Sequence, residues 1–192
     1  MAFRPFVAAL LIVLAAIATV RALRARYYRV EVAGDSMRPA LHPGDFLILR
    51  RGAPSSGQIE AGSIVSLHDA TGRLLLKRVI GLPGESLRVG STVLINRRRI
   101  LEPYARGETP QAQFRGANQL ADDEYFLIGD NREASTDSRD FGAVRRDRIE
   151  GLALFRYWPP ARLGRLAIPA RALGAEPSEP ELPLGMIGPR TS

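Results

Sequence analysis

The chain opens on one long apolar run and then breaks into short ones. Phe6 to Val20 is 15 residues without a charge, bounded by Arg4 and Arg21. As a helix this run covers about 22 Å, short of the hydrocarbon core of about 30 Å. Ala22-Leu23 and snorkelling by Arg4 and Arg21 make up the remainder. Tyr27-Tyr28 then falls at headgroup level, where amphipathic aromatics are favoured. An apolar run of this length also fits a cleaved signal peptide. The Arg-rich sequence RALRARYYR that follows is a poor cleavage site, so the expectation is one uncleaved transmembrane helix within 1–26.

Beyond Tyr28 the pattern changes to strand lengths. Val30 and Val32 flank Glu31; Phe46–Leu49, Ile64–Leu67, Leu74–Leu76, Val79-Ile80, Val93–Ile95, Tyr125–Ile128 and Leu152–Phe155 follow. Pro-Gly-Asp, Asp-Ala-Thr-Gly, Leu-Pro-Gly-Glu and Ile-Gly-Asp-Asn punctuate them. The pattern predicts a mainly β body of antiparallel sheets over 27–158. The polar stretch 97–119, with Pro103, Gly107, Pro110 and Gly116, reads as an excursion or β-ribbon. Residues 159–192 read as a Pro-rich flexible tail.

Composition narrows the chemistry. With no Cys, a disulfide framework, Cys-ligated zinc, iron–sulfur clusters and a cysteine nucleophile are excluded. Two His, His42 and His68, leave little for a His-rich metal site. The net charge of +7 is concentrated at the start: residues 1–29 carry five Arg and no acid, and the remainder holds 22 basic and 20 acidic residues. The body therefore has no nucleic-acid footprint, and Arg97-Arg98-Arg99 reads as a solvated turn. Of 27 cationic side chains only Lys77 is a lysine. Arg stays protonated, whereas a buried Lys can lose its proton. A lone Lys is either the residue of an arginine-biased genome or a position that needs a deprotonatable amine.

Three segments could carry chemistry. Gly34-Asp-Ser36-Met37 follows a strand in a Gly/Pro-rich turn, where a hydroxyl can project beside backbone N–H groups. Gly-Asp-Ser is also a common turn. In Leu74–Ile80, Lys77 and Arg78 point to opposite faces, one inward and one outward. If Lys77 faces in, Leu75 and Val79 desolvate it, and burial can supply the fall of about three pKa units that a base near pH 7 requires. Ile128 to Gly142 is dense in hydrogen-bonding groups: a calcium loop, a structural turn or a site-supporting loop. A serine, a lone lysine and a polar loop together suggest a Ser–Lys dyad, the amine replacing the imidazole of a Ser–His–Asp triad. A triad would need His42, six residues from Ser36, or His68, in a turn.

In order, Gly-Asp-Ser-Met-Arg-Pro-Ala-Leu, Pro-Gly-Asp-Phe, Leu-Lys-Arg-Val-Ile-Gly-Leu-Pro-Gly-Glu and Gly-Asp-Asn-Arg-Glu-Ala-Ser-Thr-Asp-Ser-Arg-Asp-Phe-Gly resemble the motifs of type I signal peptidases (leader peptidases). The resemblance implies coiled antiparallel β-sheets with a β-ribbon, anchored beside the membrane. It implies a serine endopeptidase that cuts secretory precursors after Ala-x-Ala-like sites without metal or cofactor. By this resemblance Ser36 is the nucleophile and Lys77 the general base. Ser135 orients the lysine, and Asp137 and Arg139 are a supporting pair. Gly34 stands where some members carry an oxyanion-binding Ser, and Ala40 where Thr is usual. Shallow pockets of Val30, Val32, Met37, Leu41 and Leu76 are expected to accept small substrate side chains. The partners expected are precursor proteins and membrane lipid, with a monomeric chain and no nucleic acid.

The resemblance also places the body outside the cytoplasm, on a single-pass anchor. Four Arg after the apolar segment against one before it argue for the opposite orientation. Three alternatives stay open: a processing protease of narrow clientele, a self-cleaving Ser–Lys protease, and an inactive tethered module that binds extended peptides.

Overall fold

A computed structural model describes residues 3–52, 59–90, 92–107 and 119–174. Helix α1 (Phe3–Arg26) is long enough, at about 36 Å, to cross a membrane. Its stretch Val7–Arg26 has a mean hydropathy of 2.1 and is 0% buried. The large apolar side chains from Val7 to Leu23 therefore point away from the protein, as a lipid-facing helix requires.

Twelve short strands follow among the described residues. They are β1 (Tyr27–Glu31), β2 (Phe46–Arg51), β3 (Ile64–His68), β4 (Leu74–Gly81), β5 (Leu87–Val89), β6 (Val93–Ile95), β7 (Arg98–Leu101), β8 (Glu124–Ile128), β9 (Val144–Arg145), β10 (Gly151–Trp158), β11 (Gly164–Arg165) and β12 (Ala172–Leu173). A single turn of helix, α2 (Ser138–Phe141), lies between β8 and β9. The main sheet runs β1-β2-β10-β3-β4-β8-β9 with β11 added on β10, and the small one runs β12-β7-β6-β5. Every strand pairing is antiparallel. The mainly β body and its N-terminal helix agree with the sequence pattern.

Side-chain alternation divides the core. On β8, Tyr125 and Leu127 join one apolar cluster with Val65, Val79 and Leu152, and Phe126 and Ile128 join another with Ile80, Val93 and Ile95. A third cluster gathers Val30, Val32, Met37, Leu41, Leu47 and Leu76 under β1 and β2. The pairing of β4 with β8 slips between Val79 and Gly81. Gly81 permits the bulge: a Cβ there would lie 2.8 Å from Leu120 Cδ1 and 2.9 Å from Phe126 Cβ.

Two expectations change. The ribbon begins before residue 97: β5 and β6 precede β7 in the small sheet, and residues 108–118 lie outside the described residues. The segment 159–174 is structured rather than loose. It carries β11 on β10 and β12 on β7, and Arg171 reaches back to the Glu85 carboxylate at 2.5 and 2.9 Å and to the Ile80 carbonyl. Its hydrogen-bonding groups have specific partners on both sheets, which a proline count does not reveal. Residues 175–192 of the expected tail lie outside the described residues.

Candidate active site

The turn after β1 and the middle of β4 bring two groups together across 41 residues of sequence. A hydrogen bond of 3.0 Å joins Lys77 Nζ and Ser36 Oγ. Val65 of β3 stands opposite the lysine in register, and the lysine is only 2% exposed. Burial lowers its pKa from 10.5 to about 8; Asp137 pulls it back up, and the Arg139 and Arg73 cations push it down. A primary amine of that kind can take a proton from a hydroxyl near neutral pH.

The sequence expectation of one inward and one outward cation on β4 is corrected. Arg78 is also 2% exposed, on the opposite face. Its guanidinium forks onto Asp130 at 2.7 and 2.5 Å, donates to the Gly62 carbonyl at 2.6 Å and stacks 4.4 Å from the Tyr104 ring. Both cations are accommodated because one is paired and the other can discharge.

The loop from Ile128 to Gly142 backs the pair. Asp137 caps α2 and accepts the Gly129 N–H at 3.0 Å and two Arg139 nitrogens at 2.8 Å. Burial opposes its ionisation, but Arg139 and Gly129 outweigh that and hold the carboxyl below its ordinary range. Arg139 in turn donates to the carbonyls of Arg132 at 2.8 Å and Ser135 at 3.1 Å, closing the loop on itself. The Ser135 hydroxyl is enclosed and near enough to help hold Asp137 down, without a hydrogen bond of normal geometry. Asp130 and Asp137 each face an arginine, which answers the calcium-loop alternative.

Sequence reasoning missed how this loop grips the serine. The Asn131 N–H donates to the Ser36 carbonyl at 3.0 Å, and its side-chain amide donates to the Asp35 carbonyl at 3.2 Å. Gly129 lets the two strands of the loop close: a Cβ there would collide with the Ser135 hydroxyl and sit 2.6 Å from the Ser36 carbonyl oxygen. The Gly-Asp-Asn triplet was the available signal. Neither His is hydrogen-bonded to Ser36 or Lys77 among the described residues: the His68 ring pairs with Glu150, and the His42 ring Nδ1 is buried without a partner.

A cleft of about 550 Å³ leads to Ser36 and Lys77. Val30, Val32, Met37 and Leu76 line it, with Glu31, Arg73, Ala134 and Thr136. Leu41 does not; it is fully buried beneath. β1 pairs only with β2, and Leu74–Lys77 of β4 pair only with β3, so each strand has an unpaired edge there among the described residues. Gly34 lines the cleft with nothing within 4 Å of the position a Cβ would take.

Residues 3–158 match the family model described as signal peptidase, peptidase S26. The chain belongs to this family. It is 36% identical over 157 residues to signal peptidase I of Bacillus amyloliquefaciens, covering 74% of this chain and 81% of that protein. Signal peptidase I T of Bacillus subtilis (strain 168) is 34% identical over 157 residues, with the same coverage. A probable signal peptidase I-2 of Synechocystis is 33% identical over 172 residues, covering 83% of this chain and 76% of that one. As a member of the signal peptidase I family the chain is a serine endopeptidase, a hydrolase that acts in signal-peptide processing.

Proposed function

We propose that this chain removes signal peptides from secreted precursors by a Ser36–Lys77 dyad, after small residues at the first and third positions before the cut. The observation that carries the reading is the 3.0 Å contact between the Ser36 hydroxyl and an amine whose pKa is held at about 8. The neutral Lys77 amine takes the hydroxyl proton as Ser36 Oγ attacks the scissile carbonyl. The same proton is then given to the leaving amine, and an acyl-enzyme ester remains on Ser36. Water, deprotonated by Lys77, attacks that ester; Lys77 returns the proton to Ser36 Oγ as it leaves, and the signal peptide departs as a carboxylate. The backbone N–H of Ser36 has no protein acceptor among the described residues and is the donor for the developing oxyanion.

Asp137 and Arg139 act through the loop they hold, in which the Ser135 hydroxyl is enclosed without a hydrogen-bond partner. The precursor binds extended along the unpaired edges of β1 and β4, with main-chain hydrogen bonds for affinity. Alternation sends its first and third residues toward Val30, Val32, Met37 and Leu76, where space is shallow. α1 anchors the enzyme, and the body faces the side on which translocated precursors arrive.

Cleavage of a model precursor by the wild-type protein and Ser36→Ala, with sequencing of the product N-terminus, tests the reading. Site-specific cleavage that vanishes in the variant is expected. Equal cleavage by both would remove Ser36. Equal cleavage of substrates with Ala and Phe before the cut would remove the specificity.

A further inference from the structure

Four of the arginines that contradict the simple charge rule do not stand alone. Arg21, Arg24 and Arg26 end α1, and Arg29 follows on β1. α1 abuts both β1 and β2, and the register of those strands sets Tyr27 opposite Arg50. Arg51 lies next along β2, its guanidinium 4.7 Å from the Tyr28 ring centre. Six arginines thus surround the point where the apolar helix enters the sheet. Arg29 is at most about 10 Å beyond the helix end at strand rise.

Five of the six are exposed and Arg50 is half-buried. None has a carboxylate within salt-bridge distance among the described residues, whereas ten other basic side chains, from Arg38 to Arg171, do. Glu150, close enough to influence Tyr28, is engaged by His68. So many uncompensated cations on one small surface repel one another and call for an external anion. The apolar helix fixes which surface lies against them.

We propose that these six arginines form a collar that binds the headgroup phosphates of anionic phospholipids and seats the body on the membrane. The proposal rests on α1 being a membrane anchor. Guanidinium groups suit phosphate because their planar donor fork can engage two oxygens at once. Tyr27 and Tyr28 lie between the arginines, at the level where aromatic rings favour the interface.

The full chain is reconstituted into phosphatidylcholine vesicles and into vesicles with half phosphatidylglycerol. Flotation after alkaline washing reports anchoring. Phenylglyoxal modification at Arg29, Arg50 and Arg51, quantified by mass spectrometry, reports headgroup contact. Flotation with both vesicles is expected, with modification about fivefold slower in the anionic ones, the factor equivalent to about 1 kcal/mol per arginine. One molar salt should erase the difference, because the screening length falls to about 3 Å. Equal modification in both vesicles, with flotation intact, would overturn the collar and leave the anchor standing. Failure to float in either would overturn both. Inorganic phosphate added to the phosphatidylcholine vesicles should protect little; protection equal to that of phosphatidylglycerol would overturn the lipid assignment.

Discussion

At Lys77 one side chain sets both activity and stability. In the proposed dyad the neutral amine is the active form, and its population grows as pH rises through about 8. The rate at low substrate should therefore climb through neutrality, reach half its limit near pH 8 and level off above. A profile still rising at pH 10 would contradict the buried base. Lys77→Arg keeps the charge but cannot accept the proton, so cleavage should fall to the level of Ser36→Ala while circular dichroism stays near wild type. Stability follows the opposite preference. In the unfolded chain the amine titrates near 10.5, and in the folded one near 8. Between these values the unfolded state binds more protons, so stability from this site rises with pH across that window. Below it the folded state bears the full cost of a buried cation, about 3 kcal/mol. Lys77→Met should abolish cleavage yet raise the thermal midpoint at pH 7, and the gain should shrink toward pH 10. A Met variant less stable than wild type at pH 7 would refute the burial cost.

Elements explain what single residues do not. The loop between β8 and α2 holds Ser36 from behind through Asn131 and the close approach at Gly129. Gly129→Ala forces the Ser36 carbonyl or Ser135 to move and should lower kcat by at least about a hundredfold, as a 1 Å misplacement does. Unchanged kcat would show that the loop can yield. Gly34→Ser meets open space instead and adds a hydroxyl donor near the Ser36 N–H. It should leave the thermal midpoint unchanged and raise kcat, read by steady-state cleavage. Seven of the twelve described strands, β1 to β4, β6, β8 and β10, were legible as apolar runs; β5, β7, β9, β11 and β12 are too short or too polar to stand out. Ser36 and Lys77 were legible as rare residue types in suggestive places. Their pairing was expected, but the geometry that brings them together was not legible, because it depends on β3 and β4 pairing behind the turn. Arg78 escaped for a related reason. Alternation assigns a face, but only the fold reveals Asp130 waiting on it. Leu41 carries the pattern of a cleft residue and lies below the cleft floor instead.

At the scale of the molecule, the small sheet is fastened to the main one by a strap from Leu166 to Gly174. Leu166 donates to the Leu154 carbonyl at 3.0 Å, Gly174 to the Arg99 carbonyl at 2.8 Å, and Arg171 spans to Glu85 in the turn after β4. Gly62 leaves room for the strap, since a Cβ there would lie 2.9 Å from the Pro169 carbonyl oxygen. The same Gly62 carbonyl accepts Arg78, which ties the strap to the buried ion pair behind the site. Arg171→Ala should lower the unfolding free energy by about 1–3 kcal/mol, measured by denaturant titration, with KM less affected than stability. A change confined to KM would mean the strap serves the substrate rather than the fold.

A chain with a single lysine, hydrogen-bonded to the proposed nucleophile, is open to a kind of chemistry that most proteases are not. Apart from an α-amino group, amine-directed reagents find one amine, Lys77, which the proposed dyad makes the base. The extent of modification at Lys77 measured against pH therefore titrates that amine itself, with no background from other lysines to subtract. A small electrophile shaped for the cleft would mark the working enzyme and spare any copy in which the amine is protonated or the fold is lost.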